Sequence, residues 1–202
     1  FVFIRGDGCS FLPDTDSATD WKYQWSITGG MSTLCLQTEF SQSEAIVVPI
    51  VGPQNGLLEL KQFIDESQTS LRIQLYQLQD AHLVQALLDA LQRNVSVELM
   101  LDPGCNNCNI WSETDLQYKN NFAYTLIEAG ATVYEFNTNS NEPYLYLHSK
   151  VVVRDTTSVW ISSGNWKSSS VPAPGVRGNV EWSVIIDNSD LAEMVDQQFN
   201  LD

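Results

Sequence analysis

From Glu44 onward, apolar runs of strand length alternate with segments that have the periodicity of amphipathic helices. The apolar runs occupy residues 45–51, 70–78, 95–101, 131–136 and 181–187. The first run, AIVVPIV, is predicted to be a buried strand. Strands that alternate with helices form mostly parallel sheets covered on both faces. We therefore predict an α/β fold with a mixed, mostly parallel sheet flanked by helices on both faces.

The helical segments carry their own boundary signals. In NGLLELKQFIDES, the residues Leu57, Leu60 and Ile64 share one helical face. Asp80 can cap a second helix, with leucines at helical spacing behind it. A third helix is predicted from about residue 115, with Gly130 ending it, and a fourth closes the chain after residue 187.

Residues 1–43 differ in composition from the rest. They are rich in Gly, Asp, Ser, Thr and Trp, with strand-like runs FVFI and QWSI and no helical pattern. We interpret them as an N-terminal β-type arm, or the remnant of a preceding domain, and residues 44–202 as the main domain. The ending WKYQWSITGG resembles the close of lamin-tail-type β-sandwiches, which are often joined to secreted nucleases and phosphodiesterases. An opening without Met indicates a processed product or a piece of a longer protein.

The charge balance narrows the range of partners. The chain has 10 Lys plus Arg against 25 Asp plus Glu, a net charge of −15. Such a surface repels nucleic acid and anionic membranes over a Debye length of about 10 Å. We therefore do not expect a broad nucleic-acid-coating surface, whereas this charge is compatible with a local positive pocket around one phosphate. No stretch approaches the roughly 20 apolar residues of a membrane span.

The four cysteines, at positions 9, 35, 105 and 108, do not form two paired zinc knuckles. We favour two local disulfides or free thiols over zinc, and predict neither a metal nor a cofactor. The even count, together with acidic loops rich in Asn, Ser and Thr, favours a secreted or extracytoplasmic setting. A cytoplasmic location stays open.

The stretch YLYLHSKVVVRDTTSVWISSGNW, residues 144–166, is predicted to be a β-hairpin that carries chemistry. On a strand, positions i and i+2 face the same side, so His148 and Lys150 emerge from one face of the sheet. The neighbours of Lys150, Ser149 and Val151, point to the other face. Asp155 lies at the turn.

The second arm of the hairpin ends in Ser162, Ser163, Gly164 and Asn165. Small serines allow a substrate oxygen to approach the backbone amides, and Asn165 adds a neutral donor. Gly164 permits a backbone conformation with positive φ. An imidazole, an ammonium, an amide and a small-residue loop suit a phosphate, because cations and N–H donors stabilise its developing charge.

These residues resemble the HxK…D…GSxN signature of the phospholipase D superfamily. His148, Lys150, Asp155 and Asn165 match it in identity and spacing, with Ser162 where the family has glycine. Downstream, RGNVEWSVII resembles the Asn-x-Glu strand of the family and places Asn179 and Glu181 in register. The resemblance covers about residues 44–202.

The resemblance implies a role for each matched residue. His148 would attack phosphorus and form a phosphohistidine. Lys150 and Asn165, assisted by Ser163 in the phosphate-binding loop 162–164, would hold the non-bridging oxygens without a metal. Asp155 would brace the hairpin, and Glu181 would orient an imidazole.

In-line displacement needs an acid opposite the nucleophile, and family members supply it from a second motif. The other histidine, His82, starts a helix without a lysine two residues later, so we interpret it as a surface or capping residue. The second half would come from a homodimer or from a further part of the chain. We favour the latter because the chain opens without Met and ends just after a helix. The alternative is a non-catalytic phosphate- or nucleic-acid-binding module with an incomplete site.

The substrate class stays open between DNA or RNA and a phospholipid. The compact domain and the lamin-tail-like arm slightly favour nucleic acid, although the net charge points against it. Trp166 and Lys167 follow Asn165 and could contact a leaving group, but a packing role for Trp166 is favoured.

Overall fold

The structure, a computed structural model, describes residues 2–5, 21–24, 44–104, 112–138 and 145–202, with the backbone alone for the first two ranges. In those two ranges, strands β1 (Val2–Arg5) and β2 (Trp21–Gln24) pair antiparallel. The first lies where FVFI predicts a strand, whereas the run QWSI falls almost wholly outside the described residues. The cysteines lie outside them too. The boundary between residues 43 and 44 stays a prediction.

The main region, from Glu44, contains seven strands and four helices among its described residues. Their bounds are β3 (Ile46–Val51), α1 (Gly56–Asp65), β4 (Ser70–Leu75), α2 (Ala81–Gln92), β5 (Ser96–Leu101), α3 (Glu113–Glu128), β6 (Thr132–Glu135), β7 (Lys150–Arg154), β8 (Ser158–Ser162), β9 (Trp182–Asp187) and α4 (Ser189–Leu201).

The described strands of this region form one sheet in the order β3-β9-β8-β7-β4-β5-β6. β4, β5 and β6 pair in parallel, and the other four ladders are antiparallel. Following these pairings, five strands point one way, and only β7 and β9 point the other way. The sheet is therefore mixed, as predicted.

Helices cover both faces of the sheet, and the alternation along β4 shows how. Leu71, Ile73 and Leu75 are fully buried in the main core on the side of α1 and α2. Between them, Arg72 and Gln74 point to the opposite face, where they contact the last turns of α4. The α/β architecture with helices on both faces is thus confirmed.

The helix boundaries follow from local chemistry. Asp80 accepts hydrogen bonds from the backbone of residues 82 and 83 and so caps α2, as predicted. α3 begins two residues before the predicted start, because Ser112 and Asp115 form a reciprocal capping box. Gly130 follows α3 with a φ of 104°, which only glycine adopts without strain. None of the helices that the structure describes is long and apolar enough to cross a bilayer.

The prediction that residues 45–51 form a buried strand is wrong. β3 lies at the edge of the sheet and pairs only with β9. Ile46 is 64% exposed, and only Ile50, at 5%, enters the core. Pro49 is consistent with this position, because a residue without an N–H group fits an edge strand.

The predicted hairpin exists, but its first arm is shorter than expected. β7 begins at Lys150, so His148 stands just before the strand. The predicted alternation nevertheless holds, since Val151 packs towards α4 and Val152 packs into the main core. Asp155 and Thr156 form the turn with φ values of 54° and 51°.

Candidate active site

The candidate site lies along one row of strand ends, which we call the site edge to distinguish it from the outer strand β3. β4 and β8 end there, and β7 and β9 begin there, because β7 runs antiparallel to both β4 and β8. The chain therefore brings together Tyr76 and Gln77 after β4, His148 before β7, the loop after β8 and Glu181 before β9. Four segments distant in sequence meet at this edge.

His148 and Lys150 are in direct contact. The Nζ of Lys150 donates to the backbone oxygen of His148 at 2.7 Å and lies 3.0 Å from its Nδ1 and 3.3 Å from its Nε2. Lys150 is only 4% exposed, whereas the ring of His148 is exposed to solvent. The structure thus places an accessible imidazole over a buried ammonium.

This contact sets the protonation of both groups. Burial, and then the charge of Lys150, lower the pKa of His148 below its usual value, and Asp102 opposes them. Burial also lowers the pKa of Lys150 to about 8, against the attraction of Glu181. Near neutral pH the imidazole is therefore uncharged, as a nucleophile must be, while the lysine still carries its proton.

Tyr76 supports both residues and was not identified from the sequence. Its ring centroid lies 4.7 Å from that of His148, and the Nζ of Lys150 lies 5.4 Å from its ring. Tyr76 is itself buried. The only signal for it is its position directly after β4, at the edge where the motif residues meet.

Asn165 reaches the same edge from β8. Its Nδ2 donates to Oε1 of the buried Gln77 at 3.0 Å. Its Oδ1 is buried and has no hydrogen-bond partner among the described residues. Because a buried polar atom without a partner costs free energy, this atom shows that the site is not satisfied by its own residues.

Glu181 links the strand after the motif to the loop after β8. Its Oε2 accepts from Oγ of Ser163 at 2.5 Å, and its Oε1 accepts from Nδ2 of Asn179 at 3.4 Å. The backbone N–H of Ser163 donates to the backbone oxygen of Trp182, and the Oγ of Ser163 accepts from the backbone N–H of Trp182. Both carboxylate oxygens are therefore fixed, and the charge of Glu181 raises the pKa of Lys150.

Gly164 does not use the positive φ that glycine permits, since its φ lies outside the left-handed region. Glycine is required here because neighbouring side chains lie too close to leave room for a Cβ atom. A Cβ at this position would lie 3.1 Å from Cγ of Glu181 and 3.2 Å from Cβ of Ser170. Gly164 therefore allows Glu181 to pack directly against the loop.

Ser162 stands at the position where the family signature has glycine. Its Oγ accepts from the N–H of Gly164 and from Oγ of Ser183, both at 2.9 Å. The hydroxyl thus fastens the turn to β9.

Asp155 lies at the far end of β7, about 16 Å from Lys150 at 3.3 Å per residue. Its carboxylate accepts from the backbone N–H groups of Gln68, Thr69 and Ser70 and from the hydroxyl of Thr69. Burial raises its pKa, but these donors outweigh burial and hold it below the usual value. Its position is that of a brace between the hairpin turn and the start of β4.

The remaining candidates do not join the site. The side chain of His82 is 69% exposed in the first turn of α2, as expected of a surface residue. Trp166 is 1% exposed, which confirms the packing role. Among the described residues, no group of three or more His, Cys, Asp or Glu side chains is arranged to hold a metal ion.

The comparisons with known proteins fit this geometry. A family model described as "Cardiolipin synthase, PLD-like domain" matches residues 60–202. The chain belongs to the phospholipase D-like family. Members of this superfamily are phosphodiesterases. A comparison with curated protein sequences found no match.

Solved structures show the same fold at low sequence identity. Nuc from Salmonella typhimurium, a phospholipase D family member, is 20% identical, with a TM-score of 0.64 over 78% of this chain and 93% of its own. NucT from Helicobacter pylori is 19% identical, with a TM-score of 0.58 over 78% and 94%. Phosphatidylserine synthase from Haemophilus influenzae is 17% identical, with a TM-score of 0.59 over 78% of this chain and 38% of its own.

Proposed function

We propose that this PLD-like domain hydrolyses a phosphodiester through a phosphohistidine intermediate. One observation carries the proposal, namely an accessible imidazole held neutral beside a buried ammonium. A phosphate entering the site would place its non-bridging oxygens against the ammonium and its phosphorus against the imidazole. His148 would then attack phosphorus, the P–O bond to the leaving group would break, and the leaving oxygen would take a proton.

The other residues stabilise charge or hold geometry. Lys150 supplies the positive charge, and Asn165 supplies an amide donor, because only one of the two N–H groups on its Nδ2 is needed for the hydrogen bond to Gln77. Ser163 and the backbone of the loop 162–164 offer further donors. Glu181 keeps Ser163 in place and strengthens the positive charge of Lys150. Lys150 and these donors supply the electrostatics for which other phosphodiesterases use a metal.

This chemistry needs a second imidazole. The nucleophile and the group that protonates the leaving oxygen must stand on opposite sides of phosphorus, and His148 occupies one side. His82 lies on the surface of α2 and makes its side-chain contact with Asp80. We therefore propose that a second PLD-like half, from another copy of the chain or from a further part of it, completes the site.

An uncovered apolar face beside the site supports this second half. Beyond α4, the outer face of β8, β9 and β3 presents Ile161, Trp182, Val47 and Val51 to solvent. Trp182 is 63% exposed and directly follows Glu181. Because contiguous exposed apolar surface marks interaction sites, a second half packed here would reach the catalytic edge.

For the substrate, we favour DNA or RNA over a phospholipid. Lys167 and Arg177 lie on the loop that connects Asn165 to Asn179, and neither takes part in an ion pair of the described residues. By contrast, Lys61, Arg72 and Arg154 are neutralised by carboxylates. Two cations without an ion-pair partner among the described residues therefore follow the motif along the chain, where they could hold a neighbouring phosphate of a polynucleotide.

Trapping the intermediate tests the mechanism. The protein is mixed with a phosphate-labelled oligonucleotide, quenched in base and examined for label bound to protein. Base-stable, acid-labile label on the wild type and none on His148→Asn is the expected result. Turnover by His148→Asn at the wild-type rate would overturn the phosphohistidine proposal.

Two substrates separate the substrate classes. Supercoiled plasmid and phosphatidylcholine vesicles are offered to the wild type and to the double variant Lys167→Ala, Arg177→Ala. We expect cleavage of the plasmid, a loss of about tenfold in the double variant and a weaker salt dependence. The matched control is Lys61→Ala, a cation of the α1 surface. Hydrolysis of the vesicles alone would place the substrate among the phospholipids.

The alternative is a phosphate- or nucleic-acid-binding module without turnover. It is favoured by the single motif and by Ser162, which replaces a glycine of the family signature with a hydroxyl. Sedimentation combined with activity distinguishes the two. A strictly monomeric protein that binds an oligonucleotide end and never cleaves it supports the module, whereas an active two-fold dimer excludes it.

A further inference from the structure

We propose that Asp102 is a positioning residue for His148: its buried carboxylate fixes the backbone before the nucleophile and supplies the negative charge that opposes the effect of Lys150 on the imidazole. The inference rests on the proposed function of His148. It assigns a role to a residue outside the signature stretch 144–166.

The first observation is a pair of backbone hydrogen bonds. Asp102 follows β5 directly and is 1% exposed. Its Oδ2 accepts from the N–H of Leu147 at 2.8 Å, and its Oδ1 accepts from the N–H of Gly104 at 2.8 Å. Leu147 precedes His148, and the sheet ladder of β7 begins only at Lys150. The carboxylate therefore fixes a segment that the ladder does not hold.

The second observation is that Asp102 is itself held in place. The Nζ of Lys119, which is almost fully buried on α3, donates to the backbone oxygens of Pro103 at 2.8 Å and Asp102 at 3.4 Å. The same ammonium pairs with Glu135 at 2.9 Å. A chain of contacts thus runs from α3 and β6 through Asp102 to the backbone of the nucleophile.

The third observation is electrostatic. Burial and the charge of Lys150 lower the pKa of His148, and Asp102 is the group that raises it. Burial raises the pKa of Asp102 above its usual value, and the two N–H donors, Lys119 and His148 oppose this rise only in part. Tyr76 packs on the same imidazole through its ring. Asp102 therefore opposes the effect of Lys150 on the protonation of the imidazole.

The substitution Asp102→Asn tests both parts of the role. An amide has one oxygen, so one of the two N–H groups loses its acceptor, and the negative charge disappears. The chain has two histidines, so their imidazole signals can be followed against pH by NMR. We expect the His148 titration to move to lower pH, while the His82 signals move as in the wild type. Phosphohistidine formation should slow by about 10²-fold, because a small misplacement of a reacting group costs that much.

The matched control is Asp155→Asn, another carboxylate that accepts backbone N–H bonds, at the far end of β7. It should leave the His148 titration unchanged. Asp102→Glu keeps the charge but displaces it by one methylene, so we expect a wild-type titration and slow phosphohistidine formation. If Asp102→Asn does not fold, Asp102→Glu still tests the positioning role.

An unchanged His148 titration in Asp102→Asn would overturn the electrostatic part, and a wild-type rate in Asp102→Glu would overturn the positioning part. Failure of the wild type to form any phosphohistidine would count against the proposed function instead. The NMR titration decides the electrostatic role of Asp102 in that case too, because it does not depend on turnover.

Discussion

The two ends of β7 carry residues of the same signature but satisfy them differently. At the turn, the carboxylate of Asp155 accepts hydrogen bonds from three backbone N–H groups and one hydroxyl. At the site, the ammonium of Lys150 is buried next to an imidazole, and the Oδ1 of Asn165 has no partner among the described residues. The carboxylate at the turn therefore has hydrogen-bond partners within the chain, whereas the amide oxygen at the site has none among the described residues.

This difference separates stability from function. A satisfied buried group stabilises the fold, whereas a buried polar group without a partner costs free energy. Substitutions at the turn should therefore lower stability and leave chemistry intact. Substitutions at the site should lower turnover and leave the stability of the fold unchanged or higher.

The largest effect is expected for His148→Ala. Removing a nucleophile lowers kcat by about 10⁴-fold or more. Because the ring is exposed, the free energy of unfolding should change by less than about 0.5 kcal/mol. Phosphodiester turnover and a urea titration measure the two quantities. His82→Ala is the control and should retain full turnover, and a His148→Ala variant with comparable turnover would show that the chemistry lies elsewhere.

Lys150→Met should show the clearest contrast between the effect on turnover and the effect on stability. Loss of a donor to the developing charge costs about 10²- to 10³-fold in kcat. Stability at neutral pH should stay equal or rise, because the lowered pKa of Lys150 means that its charge opposes folding. Parallel kinetics and denaturation test this contrast. A clear loss of stability with unchanged kcat would place Lys150 among the structural residues.

Asp155→Asn should show the opposite pattern. Charge-assisted hydrogen bonds to backbone N–H groups are lost, at a cost of about 2–3 kcal/mol of unfolding free energy. In the wild type, the lowered pKa of Asp155 makes this contribution fully present above about pH 3.9, and it is lost as the pH falls through the folded value. Urea midpoints at pH 7 and pH 3 measure it. Equal midpoints for variant and wild type at pH 7 would contradict the bracing role.

The pH dependence of kcat/KM in the wild type reports on the site end of β7 and not on its turn. Lys150 loses its proton as the pH rises through about 8, so kcat/KM should fall on that side by about tenfold per pH unit. Lys150→Arg stays charged and should lose this alkaline limb, at the cost of a lower maximum. An alkaline limb that persists in Lys150→Arg would assign it to another group.

The same contrast explains what could be predicted from the sequence. The α/β fold, the helix caps and the partnership of His148 with Lys150 follow from periodicities and spacing within short segments. The edge position of β3 does not, since AIVVPIV and VSVELML are both apolar runs and only pairing decides which is covered. Pro49 was the one local signal against burial.

Residues that act across the fold were missed for the same reason. Tyr76 and Asp102 directly follow β4 and β5, and only the sheet order brings them to His148. Gly164 was singled out for the positive φ that glycine permits, which it does not use. Its neighbour Glu181 is 17 residues later in the sequence, so the close approach that requires glycine was invisible.

The smallest effect is expected for Ser162→Gly, which restores the residue of the family signature. The hydroxyl of Ser162 holds the N–H of Gly164 and the hydroxyl of Ser183, so its loss removes two neutral hydrogen bonds of about 1 kcal/mol each. Because Ser163 stays hydrogen-bonded to Trp182 and Glu181, turnover should change by less than about threefold. Kinetics and a urea titration measure both. A gain in turnover well beyond threefold would contradict this expectation and show that Ser162 restrains the catalytic site.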